Sequence, residues 1–327
     1  MNNDIKILVI GGGSGISVIL RGIKKISKNI SAVVTVADDG GSSGILRKDM
    51  GMLPPGDIRN CILALSKTEE FMEKLMQHRF KDEKLSPHNL GNLLIAALVE
   101  MTGSFEAALS HMHDIFAVTG RVLPVSLEDI SIVAELEDDS IVQGESKIPY
   151  EVIKKNSKIR RIRIVPENAE IFEEVPKAIA YSDIIMIGPG SLYTSILPNL
   201  LVKGVSEGIR NSRAKVVYCG NLLSQPGETS GMKIEEHVFE IEKHVGARLF
   251  DTILVNSKRL DSDMYAAYKK EGAKPLFLSE EGRQKLEERG IEIIERDFIE
   301  IKEGYIRHNA DLVAKELLDL VDTKIFA

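Results

Sequence analysis

The chain has 327 residues, 43% of them hydrophobic, enough to bury a large core and to exclude a disordered protein. Its net charge of -7 excludes general nucleic-acid binding, which needs a positive surface to displace counterions from phosphates. Any phosphate the protein binds must therefore be held by a local arrangement of donors.

Taken in chain order, "IKILVIGGGSGISVILRGIKKI" predicts a buried strand, a glycine turn and an amphipathic helix with Ile16, Ile19, Leu20 and Ile23 on one face. "ISAVVTVADD" predicts a second buried strand, so the chain opens as βαβ with the right-handed crossover of a parallel sheet. Residues 57–80 and 89–115 carry helical periodicity. From about 117 to 170 the texture changes to short alternating segments separated by turn residues, the mark of a small β-rich insertion. The α/β rhythm then returns in "SDIIMIGPGSLYTSILPNLLVKGVSEGI" and "AKVVYCGNLLSQPGET". "DTILVNS", "KPLFLS" and "IEIIERDF" predict further strands, and a terminal helix follows "GYIRHN", with Asn309 as its N-cap. The expected architecture is α/β: a Rossmann-like, mostly parallel sheet flanked by helices, built from residues 1–116 and 171–327, with an insertion at 117–170. The longest apolar runs fall short of the roughly 20 residues of a membrane helix, and the first passes into glycines rather than a cleavage site. Cys61 and Cys219 read as reduced core thiols, so a cytoplasmic location is expected.

The loops predicted at the carboxyl ends of strands gather on one edge of such a sheet, where ligands bind. Gly11, Gly12, Gly13, Ser14 and Gly15 let backbone approach an anion at a helix N-terminus, although the dinucleotide fingerprint is not matched, its third glycine falling on Ile16. Gly188, Pro189, Gly190, Ser191, Thr194 and Ser195 repeat the solution, with hydroxyls that either cap the helix or contact phosphate. Asn221 lies in a further strand-end loop, and Arg307 is either a counter-charge to ligand phosphate or part of a surface ion pair.

The stretch "VADDGGSSGILRKDMGMLPPGDIRN" is opposite in sign. Asp38 and Asp39, followed by Gly40, Gly41, Ser42 and Ser43, repel phosphate unless Arg47, Arg59 or a divalent cation such as Mg²⁺ intervenes; Asp39 and Asp57 are then its candidate ligands. The aspartates could instead accept hydrogen bonds from ribose or sugar hydroxyls, or serve as turn and cap residues. Asn60 follows Arg59, and His88, Asn89 and Asn92 in "SPHNLGN" suit the edge of a base or sugar, with Asn89 equally readable as an N-cap. His111 and His113 point to different helix faces, and His237 and His244 lack a third ligand; all four read as surface residues.

In this order, "GGGSG", "ADDGGSSGILR", "GMLPPGDIRNCILALS", "HNLGNLLIAAL", "GPGSLYTSILPNLL" and "GNLLSQPGET" closely resemble the bacterial YvcK-type gluconeogenesis factors, through nearly the whole chain. That family lies in the superfamily of 2-phospho-L-lactate transferase, an enzyme of coenzyme F420 biosynthesis with a Rossmann-like fold. The resemblance implies a cytoplasmic regulatory factor that binds UDP-N-acetylglucosamine without consuming it. Such a factor links gluconeogenic carbon use to cell-wall precursor synthesis and cell shape through a protein partner, and a homodimer is expected. The alternative is a Mg²⁺-dependent phosphotransferase or nucleotidyltransferase. The transferases hold metal with a GDD-type turn and a Pro-Asp-x-Asp segment. Asp38 and Asp39 match the first, while "PPGDIRN" keeps only Asp57 of the second.

Overall fold

The computed structural model describes residues 4–67, 70–81, 85–86, 88–260 and 266–325; Pro87 of "SPHNLGN" lies outside the described residues. Twelve strands follow in chain order among the described residues: β1 (Lys6–Gly11), β2 (Asn29–Val34), β3 (Arg121–Pro124), β4 (Ser131–Leu136), β5 (Ile141–Gln143), β6 (Ile159–Val165), β7 (Ile184–Ile187), β8 (Lys215–Cys219), β9 (Thr252–Asn256), β10 (Glu292–Arg296), β11 (Ile299–Lys302) and β12 (Tyr305–His308). Seven form one parallel sheet, ordered β10-β9-β8-β7-β1-β2-β3. The chain steps outward from β1 to β3, crosses back to β7 on the other side of β1, and steps outward again to β10. Strand order therefore reverses between β1 and β7, the place where open α/β sheets bind ligands.

Apolar runs rather than alternating patterns make these strands, because helices cover both faces of a parallel sheet. Leu8, Val9, Ile10 and all of Ile184–Ile187 have no solvent contact. The helix Gly13–Ile26 turns Ile16, Ile19, Leu20 and Ile23 inward, as their spacing predicts. The terminal helix Ala310–Ile325 lies so close to it that a Cβ on Gly22 would stand 2.2 Å from the Ala310 carbonyl oxygen.

The segment 117–170 divides between two sheets. Its first strand, β3, pairs with β2 and extends the main sheet, burying Val122 and Leu123. Four residues are too few for periodicity to show which sheet they join. Only β4, β5 and β6 form a separate antiparallel sheet, ordered β5-β4-β6, beside the helix Ile148–Lys155. "KPLFLS" makes one isolated bridge, Leu223 to Pro275, instead of a strand. The helical stretches each split in two; Gly103, at φ 78°, ends Leu90–Thr102 and Ser104 caps Phe105–Ile115.

Two histidines depart from the surface reading. His237 is fully buried with Nδ1 3.0 Å from the Tyr218 hydroxyl, and the His244 side chain is buried with Nε2 accepting the Ile162 N–H at 3.0 Å. Their seven-residue spacing marks a helix face turned to the core, where imidazole finds internal partners. His113 is half-buried and accepts the Val122 N–H at 3.2 Å, while His111 is exposed.

Candidate functional site

β1 ends at Gly11, and the chain turns at once into the helix Gly13–Ile26. A Cβ on Gly12 would lie 2.7 Å from Thr35 Cγ2 and 2.9 Å from the Asp57 carboxylate, and Gly13 sits at φ +68°, so this turn requires glycine at both positions. The helix has no acid in its first turn. Its Gly13 N–H donates to Asp57 at 2.6 Å, while Ser14 and Gly15 face open space, where the helix dipole favours negative charge.

That open space is a cleft of about 290 Å³ bounded by residues 12–15, 189–191, 221–223 and 225, and closed on its far side by Tyr268 and residues 306–308. Gly12, Gly13, Ser14, Gly15, Pro189, Gly190, Ser191, Ser195, Asn221 and Arg307, expected from loops spread across the chain, are thus brought to one cavity. Gly11 and Gly188 end their strands beneath it. Arg307 reaches the cleft from the hairpin β11–β12; it donates to the Ile306 carbonyl at 3.2 Å and lies 5.1 Å from the Tyr305 ring. Glu300 is its cross-strand neighbour, yet no ion pair joins them. Asn199, within "GPGSLYTSILPNLL" but not singled out there, donates to the Gly11 carbonyl at 2.9 Å and the Ser195 carbonyl at 2.7 Å, tying the two glycine turns together.

The second glycine turn, like the first, has a carboxylate from another element at its helix start. Buried Glu228 accepts the Tyr193 N–H at 3.1 Å, the Thr194 hydroxyl at 2.9 Å and the Gln225 amide at 2.8 Å. An internal carboxylate thus fills the helix start, and Thr194 is engaged by it rather than facing the cleft. Burial pushes Glu228 up to about 7, and these hydrogen bonds hold it from rising further. Asn221 both accepts from the Gly190 N–H at 3.2 Å and donates to its carbonyl at 2.8 Å. Glu228 escaped sequence reasoning because its partners stand 34 and 35 residues away.

The acidic stretch forms an adjoining network. Asp38 accepts the Gly40 N–H at 2.9 Å, Asp39 accepts the Ser146 N–H of the insertion at 2.8 Å, and Ser43 Oγ accepts the Gly56 N–H at 3.2 Å. Gly41, at φ +47°, opens the helix Gly41–Met50. Arg59 is buried and donates to Asn92 at 2.6 Å and Asn60 at 2.8 Å, leaving its Nε without a partner among the described residues; burial lowers it to about 10. Asn92 donates to Ser42 Oγ at 3.0 Å, which lies 3.0 Å from His88 Nδ1, and Asn89 caps the helix Leu90–Thr102 through the Asn92 N–H. Four helices, beginning at Gly13, Gly41, Gly56 and Leu90, thus open onto linked groups. Arg47 donates to the Asp38 carbonyl at 3.4 Å and more closely to Asp129 at 2.5 Å and the Ile130 carbonyl at 2.7 Å, tying the acidic stretch to the root of the insertion.

Burial pushes Asp38 up and Asp57 up to about 6, opposed by the Gly40 and Gly13 N–H groups respectively. Glu145, on the insertion, is pushed up to about 8, first by burial and then by Asp38, Glu228, Asp39 and Asp57. The candidate metal ligands Asp39 and Asp57 each already accept a backbone N–H. Among the described residues no three His, Cys, Asp or Glu side chains are grouped to hold a metal ion, so the residues present do not fit a ready-made Mg²⁺ site.

Residues 7–299 match the family described as 2-phospho-L-lactate transferase CofD. The chain is 43% identical over 322 residues to the gluconeogenesis factor of Bacillus subtilis, covering 98% of this chain and 99% of that one. It is 44% identical over 314 residues to the gluconeogenesis factor of Halalkalibacterium halodurans, covering 96% and 95%. A crystal structure of a UPF0052 family member from Bacillus halodurans is similar at a TM-score of 0.91 with 43% identity, over 96% of this chain and 100% of that one.

Proposed function

The chain belongs to the 2-phospho-L-lactate transferase CofD family, alongside proteins named gluconeogenesis factors, and on that premise we propose that it binds a nucleotide sugar of the UDP-N-acetylglucosamine type as a regulatory factor. One observation carries the reading: the cleft at the reversal of strand order sets the start of the helix Gly13–Ile26, whose first turn carries no acid of its own and whose Ser14 and Gly15 face the cleft, opposite the cationic side chain of Arg307. A diphosphate meets N–H donors and dipole on one wall and a guanidinium on the other. Beside this wall, the carboxylates of Asp38 and Asp57 and the His88 imidazole offer acceptors and donors to a sugar. In the cytoplasm such a protein reports nucleotide-sugar supply to a protein partner that adjusts cell-wall precursor synthesis and shape, acting as a homodimer.

The second reading is a Mg²⁺-dependent transferase, favoured by the crowding of Asp38, Asp39, Asp57 and Glu145 near the same cleft. Isothermal calorimetry with UDP-N-acetylglucosamine, followed by chromatography after long incubation with Mg²⁺, separates the two. The regulatory reading expects binding and intact ligand. A cleaved or transferred product assigns the protein to the second reading, and absence of binding removes the first.

A further inference from the structure

We propose that Ser191 presents a lone pair rather than a proton to the cleft, and so selects ligands carrying a hydroxyl or N–H beside their phosphates; this rests on the nucleotide-sugar reading. A serine hydroxyl has one proton to donate. In Ser191 that proton points inward, to Gln225 Oε1 at 2.5 Å. The direction is imposed from below, because the other end of the same amide donates through Nε2 to Glu228 at 2.8 Å. Turning the amide over would set its oxygen against the same Glu228 oxygen that accepts the Thr194 hydroxyl. Glu228 is itself fixed by the Tyr193 N–H and the Thr194 hydroxyl.

What remains on the cleft side of Ser191 is an acceptor. The neighbouring Gly190 adds nothing, since Asn221 occupies both its N–H and its carbonyl. The cleft is therefore bipolar. Ser14, Gly15 and Arg307 supply donors, and Ser191 supplies a lone pair that repels phosphate oxygens and attracts O–H or N–H. A nucleoside diphosphate satisfies both walls, with its phosphates on the glycine turn and a ribose, sugar or base donor on Ser191. Inorganic pyrophosphate satisfies only the first. Glu228 is in this scheme a positioning residue that acts through Gln225 without touching ligand.

The test measures UDP and inorganic pyrophosphate affinities by calorimetry for the wild-type protein and the variants Ser191→Ala, Ser191→Thr and Glu228→Gln. Ser191→Ala is expected to weaken UDP about tenfold, the scale of one lost hydrogen bond, while pyrophosphate changes less than about twofold. Ser191→Thr keeps the hydroxyl and restores the preference for UDP. Glu228→Gln releases the amide of Gln225, lets the hydroxyl turn outward, and weakens UDP while leaving pyrophosphate bound as well or better. If that variant melts far below the wild type, the Ser191 pair decides alone. Equal losses for both probes in Ser191→Ala, or no loss for UDP, overturn the inference while the nucleotide-sugar reading stands. A wild-type protein that binds neither probe overturns that reading and this inference together.

Discussion

Arg307 and Gly13 make the cleft's anion wall, and each is testable singly. An arginine fork on a diphosphate forms charge-assisted hydrogen bonds, whereas an exposed ion pair contributes roughly 0 to 1 kcal/mol. Because among the described residues Arg307 makes no ion pair and donates only to a neighbouring carbonyl, removing it leaves no buried charge behind there. Arg307→Ala is therefore expected to weaken UDP-N-acetylglucosamine by about tenfold or more, about 1.4 kcal/mol, with little change in melting temperature. Unchanged affinity would place the diphosphate elsewhere. Gly13 acts through the backbone. At φ +68° a β-branched residue is strained by about 1 to 3 kcal/mol, and its side chain would project from the wall that phosphate must approach. Gly13→Val should abolish binding while circular dichroism retains the wild-type helix content; normal affinity in that variant refutes the position of the site.

Among the elements, the contact of helix Gly13–Ile26 with the terminal helix Ala310–Ile325 sets a local preference against a tertiary one. In an isolated helix Gly→Ala gains about 1 kcal/mol. At Gly22, however, a Cβ would lie 2.2 Å from the Ala310 carbonyl oxygen and 2.5 Å from its carbon, both backbone atoms. Overpacking of that kind costs about 1 to 3 kcal/mol, occasionally more, so tertiary contact wins and Gly22→Ala should lower the urea midpoint. A raised midpoint would mean that the two helices separate freely. The same contest explains what could be read from sequence at this scale. The opening βαβ unit and the strands β7, β8, β9 and β10 were legible because apolar runs and glycine turns are local signals. The allegiance of β3 was not, because pairing with β2 depends on residues some ninety positions earlier. Nor was the seating of the insertion visible, where a Cβ on Gly227 would stand 2.3 Å from the Pro149 carbonyl oxygen.

Across the whole molecule, the same division between local and distant partners governs the site and its response to pH. The glycine turns, the aspartates and Arg307 could be found from residue type and strand-end position, since chemistry of that kind needs those residues locally. Glu228 and Asn199 could not, since each is polar for the sake of partners supplied by other elements, and Glu145 could not, since the carboxylates that press on it come from elsewhere in the chain. Those buried groups oppose one another in titration. His237 and His308 are lowered by burial to about 4, so between pH 4 and their unfolded value near 6.5 the unfolded chain binds more protons and stability rises with pH. Asp57, Glu228 and Glu145 are raised to about 6, 7 and 8, so from the ordinary carboxylate range upward the folded chain binds more protons and stability falls with pH. Below pH 6.5 the two trends work against each other. Above it the histidines are neutral in both states, and the loss from Glu228 and Glu145 continues alone to about pH 8. The melting temperature is therefore expected to decline between pH 6.5 and 8.5. Glu145→Gln, at a partly exposed position whose neighbours are carboxylates, should flatten that decline and raise the melting temperature most at its alkaline end. A wild-type melting temperature that stays level across this range, or a decline of equal slope in Glu145→Gln, would show that Glu145 is ionised at ordinary carboxylate pH and that the insertion does not press it against the acidic loop.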